Sequence, residues 1–205
     1  MFSMKTFFTV VLVILLAYGL GSLSFAYIIT KWRTGKDIRT LGSGNAGFSN
    51  TLRVLDKQWA ALVFLGDMLK GYFACLLGIW LLGPWGGILG FIFVIIGHSF
   101  PFWLNFRGGK GIASGLGALW ALMPVVAFIV LAVWLVLVIT TRYISLGSVA
   151  ACVAAPISAL LLNEPWLYVL FTTLIVTVII YKHRGNMKRI LNGTEAKIGK
   201  DKIQL

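Results

Sequence analysis

The uncharged runs constrain this chain more than any other feature. No residue from Thr6 to Thr30 is charged, and none from Gly111 to Thr141. A helix that crosses a bilayer needs about 20 mostly apolar residues. Only 12% of the 205 residues are charged and 59% are hydrophobic; a soluble domain carries about 25% charge. These figures exclude a soluble globular protein, and the apolar excess excludes disorder. A formal charge of +12 often marks nucleic-acid binding. Here the basic residues sit between apolar runs, so no nucleic-acid partner is expected. The first run outlasts the h-region of a signal peptide, and no A-x-A site follows it.

Further apolar runs follow from Trp59 to Leu82, Trp85 to about Leu104, Tyr143 to Leu162 and Pro165 to Tyr181. Gly83-Pro84-Trp85-Gly86-Gly87 separates the first two as a turn. The long stretch from Gly111 divides at Met123-Pro124. Its first part, Gly111–Leu122, is about 18 Å long as a helix, too short for a roughly 30 Å core. Charge decides the topology. If the chain turns back near Pro124, all of the 18 Lys and Arg except Lys5 and Lys70 share one side. The positive-inside rule favours that turn. The expected fold is all-α: a polytopic integral membrane protein of about seven transmembrane helices, with one short or broken segment at Gly111–Leu122. Residues 1–205 are expected to form a single membrane-embedded domain, in contact with membrane lipids. The N-terminus is expected outside and the C-terminus in the cytoplasm. Cys75 and Cys152 lie inside apolar runs and read as packing residues, with no metal-ligand spacing.

The polar chemistry collects on the basic face. Gly42-Ser43-Gly44-Asn45-Ala46-Gly47-Phe48-Ser49-Asn50, followed by Arg53, combines glycines that let backbone approach an anion with neutral donors and a guanidinium fork. Gly108-Gly109-Lys110-Gly111 opens a helix, an arrangement suited to phosphate. No Walker A frame exists there, because Gly111 and Ile112 follow Lys110. Ser145 and Ser148 stand three apart on one helical face, where hydroxyls commonly bond their own backbone. His183 and Asn186 share a face if the last helix continues past Tyr181. His98 reads as a packed histidine, and His183 as the better-placed general base. Asp67 and Lys70 lie inside a membrane run and can pair. Together these clusters form a pocket rich in anion donors and poor in carboxylates. An enzyme acting on phosphates and an anion transporter both fit such a pocket. The outer loops, which offer Glu164 and no Lys or Arg, argue against transport.

At these residues the chain resembles the PlsY family, the bacterial acyl-phosphate:glycerol-3-phosphate acyltransferases. Four motifs carry the resemblance in order. They are Gly42-Ser43-Gly44-Asn45 through Arg53; Gly97-His98-x-x-Pro101 through Phe106-Arg107-Gly108-Gly109-Lys110-Gly111; Tyr143-x-Ser145-Leu146-x-Ser148; and His183-Arg184-x-Asn186 with Arg189, Gly193, Glu195 and Lys197. The chain departs from the family at Ser49, Trp103 and Arg107, and at Gly185, which is a poor helix former. The resemblance implies a seven-helix membrane fold with a cytoplasmic active site. It implies acyl transfer from acyl phosphate to the 1-hydroxyl of sn-glycerol 3-phosphate, giving lysophosphatidic acid and phosphate. Family roles carry over to His183, Ser148 and Lys110 as catalytic positions. Ser43, Arg53, Lys110 and Asn186 carry over as substrate-binding, with Gly108 and Gly109 as a phosphate hole. Asn45, Ser49, Asn50 and Ser145 are further loop candidates. No metal and no cofactor is implied.

Overall fold

A computed structural model describes residues 3–199, and every regular element among them is helical. Helix α1 (Met4–Ser22) is capped by the Ser3 hydroxyl. It breaks at Leu23-Ser24 before α2 (Phe25–Thr34), so the first apolar run holds two helices rather than one. The basic loop that follows ends in α3 (Phe48–Val54). The stretch α4 (Lys57–Ser99) is continuous except at Gly83, whose φ of 62° lies in the left-handed region ahead of Pro84. It is followed by α5 (Ile112–Leu122), α6 (Pro124–Thr141), α7 (Ile144–Leu161), α8 (Trp166–Lys182) and α9 (Arg184–Leu191).

Contacts across Gly83 show that α4 is a hairpin. A Cβ built on Gly78 would lie 2.0 Å from the Gly86 carbonyl oxygen, and one on Gly90 would lie 2.5 Å from that of Ala74. In a straight helix, residues 74 and 90 would stand about 24 Å apart. The turn cluster read from the sequence therefore separates two antiparallel limbs, residues 57–82 and 84–99. With α1, α5, α6, α7 and α8, they make seven apolar helical limbs. The chain also turns back at Met123-Pro124: the start of α5 and the start of α7, which follows the end of α6, line the same pocket.

Small residues set how closely the limbs approach, as in many membrane helix pairs. A methyl group on Gly117 would fall 1.8 Å from the Met68 carbonyl, and one on Gly71 2.0 Å from that of Ser114. Gly21 and Gly97 likewise bring α1 close to the second limb of α4, at 2.4 and 2.3 Å by the same measure. Around this contact lies a core shared by α1, α4, α5, α6, α7 and α8, built from residues such as Ala74, Val94, Leu119, Ala127, Ala155 and Ile179. The outer faces are apolar as well. Phe8, Leu15, Phe128, Val136, Ile139, Leu160 and Leu174 are all exposed, as suits a chain whose surroundings are lipid rather than water. Trp80, Trp85 and Trp166 are exposed at the ends of limbs remote from the basic loops, where an aromatic belt belongs.

Candidate active site

The site is built at the basic end of the bundle. Asn50 organises the first loop. Its Nδ2 donates to the Leu41 and Ile38 carbonyls at 2.9 and 3.2 Å, while its Oδ1 accepts the Ser43 N–H at 2.8 Å. With its hydrogen-bonding groups engaged in this way, Asn50 is a staple. It presents Ser43, Asn45 and Ser49 around left-handed turns at Gly42 and Gly44. Helix α3 then carries Arg53 inward.

The opposite wall is the junction of α8 and α9. The last helix does not continue: it bends by 51° at His183. Even so, His183 and Asn186 both reach the pocket, because His183 keeps right-handed backbone and caps α9. Gly185 falls in the first turn of α9, away from any helix interior. His183 Nδ1 lies 2.8 Å from the Ile179 carbonyl. A carbonyl only accepts, so the proton sits on Nδ1 and Nε2 keeps its lone pair. Burial, reinforced by the Lys110 charge, pushes the His183 pKa down to about 4, so the ring is neutral near pH 7. Lys110 donates to Asn186 Oδ1. Burial, with Arg189, Arg53 and Lys182 nearby, lowers its pKa to about 8 against the pull of Glu195.

All ten side-chain candidates from the sequence line one pocket: Ser43, Asn45, Ser49, Asn50, Arg53, Lys110, Ser145, Ser148, His183 and Asn186. Gly108 and Gly109 do not. Their N–H groups are spent on the Ser99 and His98 carbonyls at 3.1 and 3.0 Å, so they brace the wall from behind. The residues just after them, Gly111, Ile112 and Ala113, line the pocket instead. Being at the start of α5, their amides have no carbonyl one turn back to bond. Ser148 Oγ bonds its own backbone at Ile144, as expected of a membrane-helix hydroxyl, and receives Trp134 Nε1 at 3.4 Å. Ser145 instead donates to Glu195 at 2.8 Å.

Glu195 is the residue to which sequence reasoning gave no role. Its side chain is 1% exposed and gathers Ser145, Asn186 Nδ2 at 2.7 Å, Arg189 Nε at 2.7 Å and Arg53 at 3.5 Å. Burial raises its pKa, but these hydrogen bonds prevail and hold the carboxyl below the usual range. Its place in the fourth motif, as an acid within a basic tail, was the available signal. Trp134 was also missed. It stacks on Phe64, with centroids 6.1 Å apart, and Phe48 packs against both.

Phe64, Ile112 and Trp134 belong to two pockets at once. Beneath them an apolar pocket runs inward along α5, α6, α7 and α8. It steps one turn at a time from Ile112 to Leu119, from Trp134 to Val130, from Ala151 to Ala155 and from Ile179 to Val176. The arrangement is a cation-rich chamber on a hydrocarbon-lined one. It suits a ligand with an anionic head and an apolar chain.

Known proteins agree with this chemistry. The family described as glycerol-3-phosphate acyltransferase matches residues 11–193. A curated glycerol-3-phosphate acyltransferase of Clostridioides difficile (strain 630) is 46% identical over 203 residues, covering 95% of this chain and 98% of that protein. One from Thermoanaerobacter sp. (strain X514) is 42% identical over 190 residues, 92% of this chain and 96% of that protein. The crystal structure of PlsY (YgiH), an integral membrane glycerol 3-phosphate acyltransferase, in its glycerol 3-phosphate form superposes with a TM-score of 0.88 at 35% identity. It covers 93% of this chain and 96% of that one. The lysophosphatidic acid form gives 0.84 at 32% identity, covering 94% and 97%. With matches of this extent, the chain belongs to the glycerol-3-phosphate acyltransferase (PlsY) family and is a multi-pass membrane acyltransferase.

Proposed function

We propose that this protein transfers a fatty acyl group from acyl phosphate to the 1-hydroxyl of sn-glycerol 3-phosphate. The products are lysophosphatidic acid and inorganic phosphate, formed at the cytoplasmic face in phospholipid synthesis. The observation that carries the reading is the junction of the two pockets at Phe64, Ile112 and Trp134. An acyl carbonyl at that junction has hydrocarbon below it and cations above. The solved relatives, titled as glycerol 3-phosphate and lysophosphatidic acid forms, support the acceptor and the product. The cytoplasmic side rests on the gathering of basic loops around the site.

An acyl phosphate is already activated, so the protein has to position and to stabilise charge. Arg53 and Lys110 clamp the two phosphoryl groups, with Ser43, Ser49, Asn45 and Asn186 as neutral partners. The free amides at Gly111–Ala113 face the leaving phosphate at a helix N-terminus. The acceptor oxygen attacks the carbonyl and the carbonyl–phosphate bond breaks. The phosphate takes the electron pair, and the hydroxyl proton passes to Nε2 of His183 or to a phosphate oxygen. His183→Ala tells the two apart. With His183 as base, kcat falls far more than the KM for glycerol 3-phosphate rises; a change confined to KM assigns the proton to phosphate. Ser148 stays a hydrogen-bonding group, since no base stands on its hydroxyl, which bonds Ile144. Purified protein supplied with acyl phosphate and labelled glycerol 3-phosphate tests the reading. Failure of folded protein to make labelled lysophosphatidic acid would return the pocket to anion transport.

A further inference from the structure

Asp67 and Lys70 take no part in the steps above, yet both are buried in the first limb of α4. Their charges pair at 2.7 Å, and Lys70 also donates to the Leu23 carbonyl at 2.6 Å, at the break between α1 and α2. A buried ion pair stabilises little by itself, because desolvation offsets the attraction. This pair has a third neighbour. Asp67 Oδ1 lies 3.6 Å from Nδ1 of His98, and Ser114 Oγ of α5 lies 3.4 Å from the same nitrogen.

The far edge of the His98 ring presses on the glycine loop. A methyl group on Gly109 would fall 2.1 Å from Nε2, and the His98 carbonyl accepts the Gly109 N–H at 3.0 Å. His98 thus holds Gly109 by side chain and main chain together. The chain then turns through Gly111, at φ 97°, into the first turn of α5. Asp67 and His98 both border the polar pocket directly behind that turn.

We propose that Asp67 is a positioning residue for acyl transfer. It seats the His98 ring against Gly109, and the ring fixes the turn that aims the α5 amides at the donor's phosphoryl group. Lys70 holds Asp67 in place by pairing with it. The inference rests on the acyl phosphate reading for its substrate, while the phosphate cradle it describes is testable without turnover.

The test uses two double variants of the full chain. D67L/K70M replaces the pair with apolar groups of similar size, which removes the buried charge and the polar oxygen facing His98. D67N/K70Q also removes the charge but leaves an amide oxygen facing His98 and an amide donor near Leu23. Both are expected to keep a Tm within a few degrees of wild type. D67L/K70M should lose about 10–100-fold in kcat/KM for acyl phosphate, the scale of a misplaced catalytic geometry. The KM for glycerol 3-phosphate should not move. D67N/K70Q should recover most of the loss, and His98→Leu should reproduce it. Binding of inorganic phosphate, followed by calorimetry, should weaken about tenfold in D67L/K70M whichever donor the enzyme uses. Wild-type kinetics and phosphate affinity in a folded D67L/K70M would overturn the proposal and leave Asp67 and Lys70 as a neutralised pair. Equal losses toward both substrates, unrelieved in D67N/K70Q, would overturn it in favour of general distortion. If wild type fails to use acyl phosphate but the phosphate-binding loss persists, the donor reading falls and the positioning role stands.

Discussion

The two walls of the pocket are held by opposite means. The wall formed by α4 and α5 is packed backbone on backbone, with Gly71 and Gly117 admitting carbonyls where a methyl would stand. The wall formed by α7, α8, α9 and the tail is held by side-chain hydrogen bonds that converge on Glu195. The first wall is damaged by adding atoms and the second by removing them. Each placement follows from its surroundings. Among lipid-facing helices no hydrophobic force drives association, so close fit must supply the attraction. At the interface, a buried carboxylate requires partners, and Arg53 and Arg189 supply them to Glu195.

Predictions that separate the walls begin with the largest effect. Lys110→Ala removes the charge shared between them and should lower kcat/KM by about 100-fold or more, the scale of losing one preorganised charge donor. Its fold should survive, since Lys110 has one side-chain hydrogen bond, to Asn186. Glu195→Ala should come next. It leaves the buried Ser145 and Asn186 without their acceptor, which costs about 1–3 kcal/mol, while Arg53 and the exposed Arg189 turn to solvent. A fall in Tm together with activity would show it, and an unchanged Tm would remove Glu195 from the second wall's support. Gly117→Ala, on the first wall, should cost about 1–3 kcal/mol of stability through overpacking. Gly185→Ala has nothing closer than 3.6 Å to meet and should be nearly neutral. A Gly117→Ala variant as stable as Gly185→Ala would contradict backbone-on-backbone packing.

The smallest effect is the pH profile. His183 must be neutral to take a proton, so kcat/KM should fall as pH drops through about 4. Lys110 must be charged to hold phosphate, so kcat/KM should fall as pH rises through about 8. In His183→Ala the acid limb assigned to His183 should disappear while the alkaline limb stays. In Lys110→Arg the alkaline limb should move upward, because arginine does not titrate in this range.

Much of this was legible in the residues. Uncharged runs, turn clusters and basic loops located the seven limbs, because hydropathy and charge are read directly by a bilayer. The polar loops declared their donors, and the four motifs placed them in order. Three things were hidden. The α1–α2 break at Leu23-Ser24 leaves the apolar pattern intact, and its stabilising partner is Lys70, 47 residues away. The glycine pair looked like the phosphate cradle, but which N–H groups are free depends on where the His98 and Ser99 carbonyls fall. Glu195 gains its role only when the tail folds back, with Ile198 N–H on the Arg142 carbonyl at 3.0 Å and Lys197 over the Tyr143 ring. These are long-range contacts, which local pattern does not encode.

The most direct test of the proposed chemistry is a single-turnover assay of purified protein with acyl phosphate and labelled glycerol 3-phosphate. Wild type should form labelled lysophosphatidic acid and release one inorganic phosphate per acyl group. Lys110→Ala, folded by Tm, should do so about 100-fold more slowly or worse. Folded wild type that makes no labelled lipid, or makes it without releasing phosphate, would contradict acyl transfer from acyl phosphate.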